Sequence, residues 1–182
     1  ERPTRKEWVS HFGHTNFVMH THKRTLDPEG VARFAELSAW ARNTNVPMTL
    51  AEANARVDVD HLSRWIFAMV FCGTTDGFQG PGIIDKTEKI PRWRWLIWDM
   101  DHSFARIYPQ HAAMRIWEKE HWSLALCRPS DPAYSAFIQR WDIRAVIFSR
   151  LLNESPKYRE VFFQMVTDLL NHRLTREFAE SR

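Results

Sequence analysis

The stretch IPRWRWLIWDMDHSF, Ile90 to Phe104, is an aromatic-rich strand pattern that ends abruptly in two aspartates one residue apart. Trp93, Trp95 and Ile97 alternate with Arg94, Leu96 and Trp98, so a side-chain period of two lets the run bury one face fully and much of the other. Such a strand holds its far end still. If the extended backbone persists one step further, the carboxylates of Asp99 and Asp101 leave the same face. Two acids so close repel, and at neutral pH they stay ionised most easily when a hard cation such as Mg²⁺ bridges them or solvent screens them. The alternative on these residues alone is a strand-to-turn exit in which Asp99 or Asp101 caps the turn that follows.

Upstream, GTTDGFQGPG, Gly73 to Gly82, is too rich in glycine and proline for helix or strand, so it reads as a loop whose backbone can approach a ligand closely. Asp76 is the sole charged group inside it. It reads either as a turn former bonding its own backbone or as a carboxylate presented between a buried helix and a hairpin. The hairpin pairs Gly82 to Lys86 with the tryptophan-rich strand through a turn near Thr87 to Pro91. Folding those strands back brings Asp76 towards Asp99 and Asp101. A carboxylate on a loop, then a hairpin, then a metal-binding carboxylate is an order that phosphoryl transfer requires.

Helical signals surround this unit. Asp27 is an N-cap with Pro28 at the first helical position, and Val31, Phe34, Leu37 and Ala41 recur at helical spacing up to about Asn43. Thr49 and Glu52 form a capping box for a short helix through about Arg56. Asp58 opens a third helix, expected to be central to the core, whose apolar face carries Leu62, Trp65, Ile66, Met69 and Val70; Gly73 is placed to end it. Further on, Met114, Ile116, Trp117 and Trp122 belong to a short helix with Glu118, Lys119, Glu120 and His121, read as peripheral packing or as a flap. Asp131 and Pro132 start one helix with Phe137, Ile138, Trp141, Ala145, Phe148 and Leu152 inward, and Ser155 and Pro156 start the next, with Tyr158, Phe162, Met165, Val166, Leu169 and Leu170. Thr175 begins a last one.

At 182 residues, with nine Trp and twelve Phe, the chain holds one domain or lobe with a sizeable core. No apolar run approaches the ~20 residues that span a bilayer. The net charge of +3 comes from arginines spread along the chain. That suits a phosphate-bearing ligand and, with no basic stripe, argues against nucleic acid as a partner. Cys72 and Cys127 match no zinc spacing, and Cys72 reads as a small buried hydrophobe. Residues 1–26 read as a connecting segment. Asn16 to His22 reads as a short strand with His20 and His22 on one face; with His11 and His14 this makes a histidine-rich opening that reads either as a transition-metal site or, since its spacing matches no regular site, as ordinary surface and core histidines.

The order of helix, loop aspartate, hairpin and W-D-x-D, VDVDHLSRWIFAMVFCGTTDGFQ (Val57 to Gln79) followed by RWRWLIWDMDHSF (Arg92 to Phe104), resembles the CotH kinase family, named for a spore-coat protein. FSRLLNESPKYREVFFQMVTDLLNHRLT, Phe148 to Thr175, resembles that family's C-terminal helical pair. The resemblance runs from Val57 to Thr175 with an unmatched middle. It implies an atypical protein kinase, at a cell or spore surface or secreted, that uses ATP with Mg²⁺ or Mn²⁺ on a protein substrate bearing Ser or Thr. Carried over, Asp76 matches the carboxylate that orients or deprotonates the acceptor hydroxyl. Asp99 matches the metal-binding aspartate that also holds the nucleotide, and Asp101 either a second ligand or a residue that holds the loop. Family members often place Asn shortly after the loop aspartate; here Gln79, Gly80 and Pro81 follow, leaving Gln79 as the amide that would serve the metal and nucleotide. The expected fold is α+β, a mainly helical kinase-like C-terminal lobe over residues 27–175 with one small hairpin. The family's nucleotide lobe is expected before residue 1, since the chain opens on Glu and shows no glycine-bearing strand pair. Two other readings remain: a metal-dependent Asp-x-Asp glycosyltransferase, which would bring a βαβ unit, and a non-catalytic module binding glycans or proteins through exposed indoles.

Overall fold

The computed structural model describes residues 5–21, 27–72, 80–97, 129–140 and 142–180. Their elements run α1 (Arg5–Phe12), β1 (Phe17–His20), α2 (Pro28–Arg42), α3 (Leu50–Asn54), α4 (Val59–Phe71), β2 (Gly82–Asp85), β3 (Arg94–Trp95), α5 (Tyr134–Arg140), α6 (Ile143–Glu154), α7 (Pro156–His172) and α8 (Arg176–Glu180). The class is the expected one, helices around a small antiparallel sheet. The hairpin is present, with Gly82 opposite Trp95 and Ile83 opposite Arg94, but it does not stand alone. β1 adds to the other edge of β2 with Val18 opposite Ile84 and Met19 opposite Ile83, giving the order β1-β2-β3. The short strand was legible in Phe17 to His20; its partner was not, because strand pairing is a long-range choice.

Alternation along these strands buries both faces of the sheet. Val18, Ile84, Trp93 and Trp95 join the main helical core. Phe17, Met19 and Ile83 face the other way and pack with Trp8, Val9 and Phe12 of α1 and with Leu96. β3 is shorter than the aromatic run that encodes it. At Trp93 the backbone turns its hydrogen bonds to the α3–α4 connection: its N–H donates to the Arg56 carbonyl at 2.9 Å, and its carbonyl accepts from the Asp58 N–H at 3.0 Å. This parallel bridge to Val57 covers the outer edge of the sheet.

Local capping chemistry sets the helix starts. Asp27 accepts from the Gly30 amide at 3.2 Å and from the Met19 amide at 3.0 Å, so one carboxylate caps α2 and pins it to β1. The approach is so close that a Cβ on Gly30 would lie 1.8 Å from the Met19 carbonyl oxygen. Gly30 therefore occupies the buried face, and Val31, expected there, is exposed. Both halves of the Thr49–Glu52 capping box form, and Ser155 caps α7 with Pro156 in its first turn. On α7, Tyr158, Phe162 and Met165 are buried whereas Leu170 is exposed.

One expectation about the helices needs correction. The helix expected from Asp131 is broken in two at Asp142, whose side chain accepts from the Arg144 amide at 2.9 Å and restarts the chain as α6. α4 is central to the core as expected, with Leu62, Trp65, Ile66, Met69 and Val70 all buried, and α6 joins it there, since its residues Ile143 to Leu152 are buried without interruption. That requires both of its buried arginines to be fully engaged. Arg150 spends its five N–H donors on the carbonyls of Ala41, Asn43 and Val46, at 3.0, 2.8 and 2.7 Å, and on the Glu154 carboxylate at 2.7 and 2.6 Å. Glu154 in turn accepts from the Met48 amide at 2.5 Å, so this pair ties the α2–α3 connection to α6. A second buried polar link joins α4 to α7. The Ser63 hydroxyl donates to the Val59 carbonyl, so the Tyr158 hydroxyl, 2.8 Å away, donates to Ser63, and burial pushes the Tyr158 pKa up.

Candidate active site

Asp76, Gln79, Asp99 and Asp101 lie outside the described residues, as do Gly73, Trp98, His22 and the 105–128 segment. What is described is the frame on either side of the acids. β2 and β3 lead, on one side, back through Pro81 and Gly80 to the loop and, on the other, forward through Leu96 and Ile97 to the W-D-x-D motif. These two exits are joined directly: the Leu96 N–H donates to the Pro81 carbonyl at 3.2 Å. We call this junction the neck.

Helix α4 and helix α6 hold the neck from below. The Trp65 indole N–H of α4 donates to the Leu96 carbonyl at 2.8 Å. One turn earlier, the His61 Nε2 lies 2.6 Å from the Trp95 carbonyl oxygen and 3.3 Å from the Trp95 nitrogen. The shorter contact decides the tautomer, because a carbonyl can only accept, so Nε2 carries the proton. From α6, the Arg144 guanidinium stacks on the Trp65 ring at 4.6 Å, forks onto Asp142 at 2.8 Å through Nε and through a terminal nitrogen, and reaches the Gly80 carbonyl at 3.3 Å with the other. Sequence reasoning missed Arg144. Its partners come from three separate segments, and the only local hint was Asp142 two residues before it.

On the far side of β3, Asp58 serves twice. One oxygen caps α4 by accepting from the His61 amide at 3.1 Å, and the other accepts from Arg94 at 2.8 Å, with Arg92 at 3.7 Å; Arg94 also pairs with Glu88. Burial works against ionisation of Asp58, but the hydrogen bonds from Arg94 and the His61 amide outweigh it and hold the carboxyl below its ordinary range. A folded pKa below the unfolded value of about 3.9 gives stability that is present above that value and lost as pH falls through the folded one. Asp58→Asn should therefore flatten the acid limb of stability below about pH 4 and cost about 1–3 kcal/mol at neutral pH. Urea midpoints followed against pH read both, and acid limbs of equal slope in variant and wild type would rule the role out.

The described histidines of the N-terminal region, His11, His14 and His20, are each engaged separately. His14 faces Asp85 at 3.5 Å, His20 stacks on the Phe34 ring at 3.7 Å, and His11 packs edge-on against Trp8. Among the described residues no group of three or more His, Cys, Asp or Glu could hold a metal ion. Cys72 ends α4 just before the loop, and burial raises its thiol pKa.

A family model for CotH kinase protein matches residues 14–182, well beyond the stretch carrying the sequence resemblance. The chain belongs to the CotH kinase family. At the coarse level this makes its function kinase-like, and kinases as a class require ATP, a divalent metal and, for protein kinases, an acceptor protein. No curated protein and no solved structure matches this CotH-family chain. No helix among its described residues is long and apolar enough to cross a membrane.

Proposed function

We propose that this CotH-family chain transfers the γ-phosphoryl of ATP to a Ser or Thr hydroxyl of a surface or secreted protein, with Asp76 as the carboxylate that positions and deprotonates the acceptor. Asp99 and Asp101, with Gln79, are the proposed metal donors, and Asp99 and Gln79 the proposed nucleotide contacts. All of these donors are oxygens, which suits Mg²⁺ or Mn²⁺. When bound, the ion neutralises charge on the transferring phosphoryl group. The observation that carries this reading is the neck. Asp76 lies five residues before Pro81 and Asp99 three after Leu96, reaches of at most ~17 and ~10 Å, and the Pro81–Leu96 hydrogen bond gives those tethers a common origin.

The rival readings have less support. Trp8, Trp65, Trp93 and Trp95 are buried, Trp93 and Trp95 stack together, and Trp40 is half-buried, so the described tryptophans form no row of exposed indoles for glycan binding. The three strands pair antiparallel, and no βαβ unit of the kind a nucleotide-sugar transferase brings occurs among the described residues. The test is titration calorimetry of ATP with Mg²⁺ into the full-length protein. Asp99→Asn should abolish the Mg²⁺-dependent part of nucleotide binding; affinity equal to wild type would overturn the metal assignment.

A further inference from the structure

Two backbone carbonyls flank the neck, and a single stacked pair of side chains holds both. Arg144 reaches the Gly80 carbonyl at 3.3 Å and Trp65 reaches the Leu96 carbonyl at 2.8 Å, while the guanidinium carbon lies over the indole, 4.6 Å from its centroid. Asp142 fixes the plane of the guanidinium by accepting at both oxygens. Arg144 is 5% exposed, so the planar fork is enclosed as well as bonded. We propose that Arg144 is a positioning residue: stacked on Trp65, it locks Gly80 to Leu96 and so fixes the relation between the two chain exits that lead to Asp76 and to Asp99. The proposal rests on the phosphoryl-transfer reading of those acids.

Capping alone does not account for this geometry. Asp142 already caps α6 through the Arg144 backbone amide, and a cap has no need of a guanidinium that crosses to Gly80. Phosphoryl transfer, by contrast, depends on holding acceptor and phosphate in line, where a misplacement of about 1 Å costs about 10²-fold. The three requirements at this point are charge, planarity and reach. Lysine supplies the charge but neither the planar stack nor a fork that grips Asp142 and Gly80 together.

The test uses the full-length protein and reads the Leu96 amide, which donates to Pro81 across the neck, by hydrogen exchange. In Arg144→Met its protection should fall by about tenfold or more while the amides of Ile66 and Phe148 in the core keep theirs, and Arg144→Lys should not restore it. Trp65→Phe keeps a ring but removes the Leu96 bond; it should loosen the same amide and serves as the second arm where Arg144→Met does not fold. In parallel, transfer from MgATP to dephosphorylated casein should lose about 100-fold in kcat with little change in the KM for ATP. Unchanged protection at Leu96, recovery by lysine, or a loss spread evenly over the core would each overturn the positioning role. Loss of protection at Leu96 together with full transfer activity in Asp76→Asn would instead uphold that role and remove the catalytic reading on which its purpose rests.

Discussion

Arg150→Ala is expected to lower the unfolding free energy by about 3–5 kcal/mol, as removal of one member of a buried ion pair does. The reason lies in what the guanidinium leaves behind. Three carbonyls at the end of α2 and in the connection after it, those of Ala41, Asn43 and Val46, lose their donors, and Glu154 keeps its charge with only the Met48 amide to answer it. Buried carbonyls without donors and a part-buried charge left with a single partner are the costly part, more than the lost attraction itself. Lysine does not repair the site, because three tetrahedral donors cannot reproduce five planar ones. Against a typical total of about 5–15 kcal/mol, the alanine variant would be marginal at best. Urea denaturation of wild type, Arg150→Ala and Arg150→Lys decides it; a loss below about 1 kcal/mol in the alanine variant would mean that α2 and α6 are held together by apolar packing alone.

The same residue explains what the sequence hides. Helix starts were legible because capping is local: Asp27 with Pro28, Thr49 with Glu52, Asp58, and Ser155 with Pro156 each carry their signal within four residues. The central position of α6 was not. Arg144, Ser149 and Arg150 interrupt its apolar pattern, yet each is buried against partners from elsewhere in the chain or its own flanks. The break before α6 was hidden for a related reason: Asp142 sits inside a continuous helical periodicity, and only its bonds to Arg144 show that it restarts the helix. The candidate acids, which lie outside the described residues, were singled out by the two-residue spacing of Asp99 and Asp101 after the aromatic run and by the glycine-rich sequence around Asp76. The contacts around the neck could not be read in advance, since Trp65, Arg144 and Gly80 meet only once α4, α6 and the hairpin have folded together.

Asp76→Asn should reduce phosphoryl transfer by about 10²–10⁴-fold, the range for loss of a positioned general base, and leave the affinity for MgATP within about threefold of wild type. Asparagine keeps the size of the side chain and one acceptor oxygen, so it can still orient a hydroxyl, but it cannot take the proton. Asp99→Asn should behave in the opposite order, losing the metal-dependent nucleotide affinity first. Radiolabelled phosphate transfer and calorimetry on the two variants separate the roles: equal loss of binding in both would move Asp76 into the metal site, and full transfer activity in Asp76→Asn would end its assignment as the catalytic carboxylate. The double variant Asp76→Asn with Arg144→Met adds a sharper condition. A guanidinium that acts only by aiming the Asp76 segment has nothing left to aim once the base is gone, so the double variant should be scarcely slower than Asp76→Asn alone, a strong departure from additivity. Losses that simply multiply would show Arg144 contributing to transfer by a route that does not pass through Asp76.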